Sequence, residues 1–160
     1  MPGEIVFYGG WAMRGYHANV EQTQLAIWSD ERQRTFIRSG DIGRLDEDGY
    51  LYVVDRKKDM IITGGFNVFP SDIEAVLSSH PDVIEAACIG VPHDVWGEAP
   101  MAYVIVRAGA QVDPVALKRW ANDRLAKTQR LSDLIVLGEF PRNALGKVVK
   151  RELRMLRPKR

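Results

Sequence analysis

The segment Pro141-Arg142-Asn143-Ala144-Leu145-Gly146-Lys147 sets a long, flexible cation at the end of a turn-rich stretch. An ammonium on such a loop can reach a neighbouring site and meet a phosphate or carboxylate oxygen that gains charge in a transition state. The same pattern also describes a solvent-exposed lysine ahead of a basic helix, and taken by itself it favours that plainer reading. A second feature is Asp55-Arg56-Lys57-Lys58-Asp59, an unbroken charged run between two apolar segments. It reads either as a solvated turn or as an exposed boundary between domains, where few contacts cross. A third is the Gly64-Gly65 turn, which follows a strand-like run.

Other chemistries are excluded by what is missing. Gly146-Lys147 has Pro141 where a phosphate loop of the Walker type needs glycine, and Val148 where it needs Ser or Thr. Gly64-Gly65 lacks the third glycine of a dinucleotide fingerprint. His17, His80 and His93 are far apart, with no carboxylate or cysteine at ligand spacing, so no metal site is expected. Cys88 lies among apolar neighbours and reads as core rather than nucleophile. No serine sits in a nucleophile elbow. Lys147, Lys150, Arg151, Arg154, Arg157, Lys159 and Arg160 crowd the C-terminus, but no aromatic residue is interleaved; a solvated tail is expected and no nucleic-acid partner.

These residues must be held by the elements around them. The chain has 160 residues, 46% apolar and 27% charged, with net charge +1, a globular composition. One cysteine rules out an internal disulfide and fits a reducing compartment, so a cytoplasmic location is expected. No apolar run approaches the roughly 20 residues of a membrane span. Glu4–Tyr8 reads as a strand and Gln22–Trp28 as a short helix. Ile42–Leu45 and Tyr50–Val54 form a hairpin around Asp46-Glu47-Asp48-Gly49, whose glycine accepts a positive φ. Then follow a strand at Met60–Thr63 and a helix with Ser71 and Glu74 spaced as a capping box. Strands at Val83–Val91 and Met101–Arg107 come next, then a helix opened by Asp113-Pro114 with Leu117, Trp120, Ala121 and Leu125 as its buried stripe. A strand at Leu134–Leu137 and a basic helix at Val148–Leu156 close the chain. The fold class is α+β: a small sheet flanked by helices, preceded by a β-rich segment that looks like a piece of something larger.

Four segments, in order, resemble the later motifs of the adenylate-forming superfamily: acyl-CoA synthetases, luciferases and the adenylation domains of peptide synthetases. Gly3-Glu4-Ile5 with Gly15-Tyr16 resembles the end of the large domain. Ile37-Arg38-Ser39-Gly40-Asp41 resembles the Tyr-Arg-Thr-Gly-Asp motif, with Ile37 and Ser39 as mild departures. Asp55-Arg56-Lys57-Lys58 through Glu74 resembles the hinge and the loop after it, and Pro141–Lys147 the C-terminal lysine motif. The resemblance implies an end of the large domain at 1–54, a hinge at 55–59 and a mobile C-terminal lid domain at 60–160.

It also implies roles. Asp41 would accept from the ribose hydroxyls of ATP and of the acyl-adenylate, since a carboxylate offers two acceptor oxygens to a diol. Arg56 and Lys58 would lie near ribose, phosphate or adenylate, and Asp55 would be the hinge residue. Gly64 and Gly65 would line the CoA tunnel, and Lys147 would be catalytic, bridging the substrate carboxylate and the α-phosphate. The implied reaction joins a small carboxylic acid to Mg·ATP, releasing pyrophosphate, and then passes the acyl group to CoA with loss of AMP. The lid would rotate between the steps. The loop Gly65–Glu74 resembles acyl-CoA ligases rather than carrier-protein-dependent domains, and nothing separate signals a luciferase-like oxidation. Fatty and aromatic acids both stay open. The phosphate loop, adenine pocket and acyl pocket belong to the large N-terminal domain of the family, which the chain would need as partner, so these residues alone are expected to be inactive. The rival reading is a non-catalytic lid-like domain that binds a partner.

Overall fold

Strand β1 (Gly3–Phe7), helix α1 (Val20–Leu25) and strands β2 (Ile27–Ser29), β3 (Thr35–Leu45) and β4 (Leu51–Arg56) open the computed structural model, which describes residues 1–157. Lys159 and Arg160 of the basic C-terminus lie outside the described residues. The long β3 is the hub. It pairs antiparallel with β1, with β2 at its start (Ser29 opposite Thr35) and with β4 at its end (Leu45 opposite Leu51). The helix expected at Gln22–Trp28 is a correction. It runs over Val20–Leu25, capped by the Asn19 side chain accepting from Gln22 N–H at 3.0 Å. Ile27 and Trp28 leave it to form β2, where Trp28 stacks on Phe36 with ring centroids 5.1 Å apart. Cross-strand packing of β-branched and aromatic residues outweighs a weak local helical tendency.

Contacts divide the chain into Met1–Lys58 and a second unit from Asp59 onward. Among the large apolar side chains of the first unit only Ile42 is buried, while Trp11, Tyr8, Tyr16, Leu25, Val53 and others are exposed. A sheet with so little covered has no core of its own.

The second unit has β5 (Ile61–Thr63), β6 (Phe66–Val68), α2 (Pro70–Ser78), β7 (Val83–His93), β8 (Gly97–Val106), α3 (Pro114–Asn122), β9 (Asp133–Val136) and α4 (Lys150–Met155). Its sheet runs β6-β5-β8-β7, with β9 pairing parallel to β8. Alternate residues of β7 and β8 point to opposite faces. Cys88, Ala102 and Val104 join Ile73 and Leu77 of α2 and Leu117 and Ala121 of α3 in one cluster. Ala87, Ile89, Met101 and Tyr103 join Phe140 and Leu153 of α4 in the other. Burying one such leucine is worth about 2 kcal/mol, which is why α4, only six residues long, stays docked. Tyr103 O–H donates to Leu153 O at 3.0 Å, and burial raises its pKa above the usual 10.0.

The capping box expected at Ser71 and Glu74 is also a correction. The helix starts two residues earlier, with Phe69 rather than Ser71 as N-cap, making no side-chain cap bond, and Pro70 in the first turn, where its missing N–H is no loss. Glu74 instead accepts from Cys88 N–H and pairs with Lys150 Nζ, both at 2.8 Å, tying α2 to β7 and α4. Asp113 caps α3 as its sequence predicts, accepting from Val115 and Ala116 N–H.

Candidate active-site elements

Asp41 and Arg56 face each other across β3 and β4, with Arg56 Nε 3.5 Å from Asp41 Oδ1. Ser39 Oγ fixes the approach, accepting from Asp41 N–H at 2.9 Å and donating to Ile5 O at 2.8 Å, while Gly40 turns the backbone with φ +75°. An open cleft is lined by Ser39, Gly40, Asp41, Arg56, Lys57 and Lys58. Lys57 Nζ is held by Glu4 at 2.8 Å. Asp55 Oδ1 accepts from the next amide, Arg56 N–H, at 2.7 Å, at the end of β4. Lys57–Asp59 then form a single 3-10 turn, so the charged run is half strand and half turn. One carboxylate beside three cations suits a ligand with hydroxyl donors at one end and anionic oxygens at the other.

The glycine turn closes the β5–β6 hairpin as a two-residue loop with positive φ at both positions, +56° at Gly64 and +83° at Gly65. The two glycines differ in their surroundings. Gly64 N–H donates to Trp96 O at 2.9 Å, and a Cβ on Gly64 would stand 2.8 Å from Trp96 Cε3. A Cβ on Gly65 would meet nothing within 4 Å. Beside the turn lies a largely apolar cavity of about 370 Å³, lined by Thr63, Gly64, Phe66, His93, Trp96 and neighbouring residues.

Lys147 ends a hairpin loop built on Asn143. Asn143 N–H donates to Lys147 O at 2.9 Å, Asn143 O accepts from Gly146 N–H at 2.9 Å, and Asn143 Oδ1 accepts from Leu145 N–H at 3.0 Å and Lys147 N–H at 2.9 Å. Gly146 takes φ +78°, closing a turn with a one-residue bulge. The loop stem pairs Arg142 with Val148; Arg142 is ion-paired to Glu85 and donates to Gly146 O at 2.9 Å. Both hydrogen-bonding groups of the Lys147 backbone are thus fixed, and its exposed side chain extends from a rigid base.

Asp41, Arg56 and Lys58 are brought into one cleft, with Asp55 beside it. Gly64-Gly65 and Lys147 occupy separate loops of the second unit. The strands of the glycine turn pack into one hydrophobic cluster through Ile61 and Val68; the lysine loop is flanked by Phe140 and Val148 of the other. Sequence reasoning missed Asn143 and Trp96. Asn143 was recoverable, because Asp46-Glu47-Asp48-Gly49-Tyr50 has the same pattern of an Asx residue three before a glycine. Trp96 was not, because its contact with Gly64 crosses 32 residues (96 − 64) between two hairpins. Among the described residues no three His, Cys, Asp or Glu side chains gather as metal ligands, and no helix is long and apolar enough to cross a membrane.

Residues 72–147 match the family described as the AMP-binding enzyme C-terminal domain. The 2-succinylbenzoate–CoA ligase of Geobacillus kaustophilus is 46% identical over 98% of this chain and 31% of its own length. ATP-bound MatB from Rhodopseudomonas palustris superposes with a TM-score of 0.87 at 36% identity, covering 98% of this chain and 30% of that one. The o-succinylbenzoate CoA synthetase MenE from Bacillus subtilis, in complex with the acyl-adenylate intermediate OSB-AMP, gives 0.80 at 34% identity, covering 96% and 30%. Residues 72–147 thus carry the C-terminal domain of AMP-binding enzymes, and over nearly its whole length the chain is similar to the C-terminal portion of adenylate-forming acid–CoA ligases. It spans about 31% of the length of the curated relatives it matches.

Proposed function

We propose that this chain completes an ATP-dependent, AMP-forming acid–CoA ligase. Residues 1–54 end the large domain, 55–59 form the hinge and 60–160 are the mobile lid. The observation that carries this reading is the pairing of Asp41 with Arg56 in a cleft rimmed by Lys57 and Lys58. There Asp41 accepts from the ribose hydroxyls while Arg56 and Lys58 meet phosphate oxygens. Lys147, on its braced loop, neutralises charge between the acid's carboxylate and the α-phosphate as the acyl-adenylate forms and pyrophosphate leaves. Asp55, at the end of β4, takes up the backbone rotation that exchanges the lysine loop for the glycine turn. Their packing against opposite hydrophobic clusters supports that exchange, because one rotation can present one loop while withdrawing the other. Gly64 and Gly65 then border the path of the CoA thiol, which attacks the acyl carbon and displaces AMP. ATP, Mg²⁺ and CoA are substrates or cosubstrates of the assembled enzyme.

The bare sheet of the first unit supports the need for a large domain, since its exposed aromatic residues lack cover. The names of the relatives make 2-succinylbenzoate the first acid to test, ahead of fatty acids. A cytoplasmic location is our reading from the single, buried cysteine. The test is a chimera in which this chain replaces the matching last third of the Geobacillus relative. The chimera should form succinylbenzoyl-CoA with ATP, and the chain alone should release no pyrophosphate. Robust turnover by the chain alone, or a folded chimera inert in both half-reactions, overturns the proposal.

A further inference from the structure

The hairpin between β7 and β8 is closed by His93-Asp94-Val95-Trp96-Gly97, with His93 paired to Gly97 and Gly97 at φ +74°. His93 Nδ1 accepts from Val95 N–H at 3.2 Å and Trp96 N–H at 3.3 Å. Accepting there requires the neutral tautomer with its proton on Nε2. The ring does what an Asx side chain does elsewhere in this chain. Asp30, Asp46 and Asn143 each open a five-residue hairpin loop and accept, through Oδ1, from backbone amides of the same loop.

What His93 holds is the wall of the glycine turn. Trp96 O accepts from Gly64 N–H, and the Trp96 ring occupies the space that a Gly64 side chain would need. Glu98, one residue beyond the loop, accepts from Ile62 N–H at 2.9 Å and secures the strand leading into the turn. Trp96 itself is 53% exposed, so packing alone does not fix it. Without an acceptor at position 93, two amide donors turn to solvent and the loop loses its brace.

We propose that His93 is a positioning residue for the thioester-forming step: its Nδ1 sets Trp96 against Gly64 and thereby shapes the cavity past which the thiol cosubstrate travels. The proposal rests on the reading of Gly64 and Gly65 as the border of the CoA path. It makes His93 an acceptor for the backbone and gives its Nε2–H no proton to transfer in the reaction.

Two measurements test it. In this chain, ¹⁵N spectra of the His93 ring at neutral pH should show an unprotonated Nδ1 and a protonated Nε2, and the Gly64 amide signal should move in His93→Ala but hold in His93→Asn. A protonated Nδ1, or a Gly64 signal unchanged in His93→Ala, overturns the inference whatever the enzyme does. In the chimeric ligase, supplied acyl-adenylate and CoA are followed to the thioester. His93→Ala should raise KM for CoA about tenfold, a typical scale for lost positioning, with pyrophosphate release within about twofold of the parent. His93→Asn, which supplies an acceptor oxygen, should restore most of the loss. An Asn variant as impaired as Ala, or equal loss in both half-reactions, contradicts it. A parent chimera that adenylates yet ignores CoA would instead sink the reading of the glycine turn, leaving the spectroscopic result to decide the role of His93.

Discussion

Lys147 is positioned through its backbone. Its N–H and C=O are both engaged by Asn143, and its stem residue Arg142 is anchored to Glu85 on β7. A flexible side chain on a wandering loop loses more freedom on reaching its target than one on a fixed base. Asn143→Ala removes the Oδ1 acceptor for two amides and should lower adenylate formation by the chimera about tenfold, a typical cost of lost positioning. Thioester formation from supplied adenylate should hold; pyrophosphate release and thioester formation, measured separately in the parent and Asn143→Ala chimeras, decide it. At this scale the residue types of the candidate site were legible: Asp41, Arg56, Lys58, Gly64, Gly65 and Lys147 lie in one order along the chain. Their partners were less so. The Arg142–Glu85 pair joins residues 57 apart, and no local pattern announces it.

The hairpin loops repeat one solution. Asp30–Arg34, Asp46–Tyr50 and Asn143–Lys147 share the same four bonds, from the first residue's amide, carbonyl and side-chain oxygen to the third, fourth and fifth residues of the loop. The fourth residue is left-handed in each, and it is glycine in two but Gln33 in the first, at φ +59°. Gln33→Gly should therefore stabilise the chain by about 1 kcal/mol, read as a rise in urea midpoint, because a side chain in that region costs energy that glycine does not.

The acidic loops carry a pH dependence that the Asn143 loop lacks. Lost hydration is the largest single influence on Asp30 and Asp46 and pulls their pKa values up. Hydrogen bonds to Asp30 from the Arg34 side chain and backbone, and to Asp46 from Tyr50 N–H and the Tyr52 side chain, together outweigh it, so both carboxyls sit below the ordinary 3.8. The unfolded chain then binds more protons than the folded one. The stabilisation is complete above the unfolded value and is lost as pH falls through the lower folded value. Asp46→Asn keeps an acceptor oxygen and removes the charge, so acid unfolding of the first unit, followed by tyrosine fluorescence between about pH 5 and pH 2, should become shallower. An unchanged profile contradicts this. Among the elements, the order of strands and helices from Arg56 onward was readable because period and turn residues agree. The start of α2 and the strand β2 were not, since Glu74 and Trp28 answer to partners on other elements.

The two units differ in kind. The second has two full hydrophobic clusters on the faces of its sheet, whereas the first buries almost none of its large apolar side chains. That contrast, with coverage of about 31% of its relatives' length, supports the proposal that a large domain covers the first unit. The α+β character of the second unit followed from sequence periodicity. The identity of the acid did not, since no motif in the sequence points to one acid over another. In the proposed function, one lid serves two half-reactions through two different loops. The direct test is Lys147→Ala in the chimeric ligase, assayed for pyrophosphate release and, separately, for thioester formation from supplied acyl-adenylate. Lys147→Ala should lose the first by roughly a hundredfold or more, the scale of a lost transition-state charge contact, with the second largely spared. Equal loss in both would contradict it.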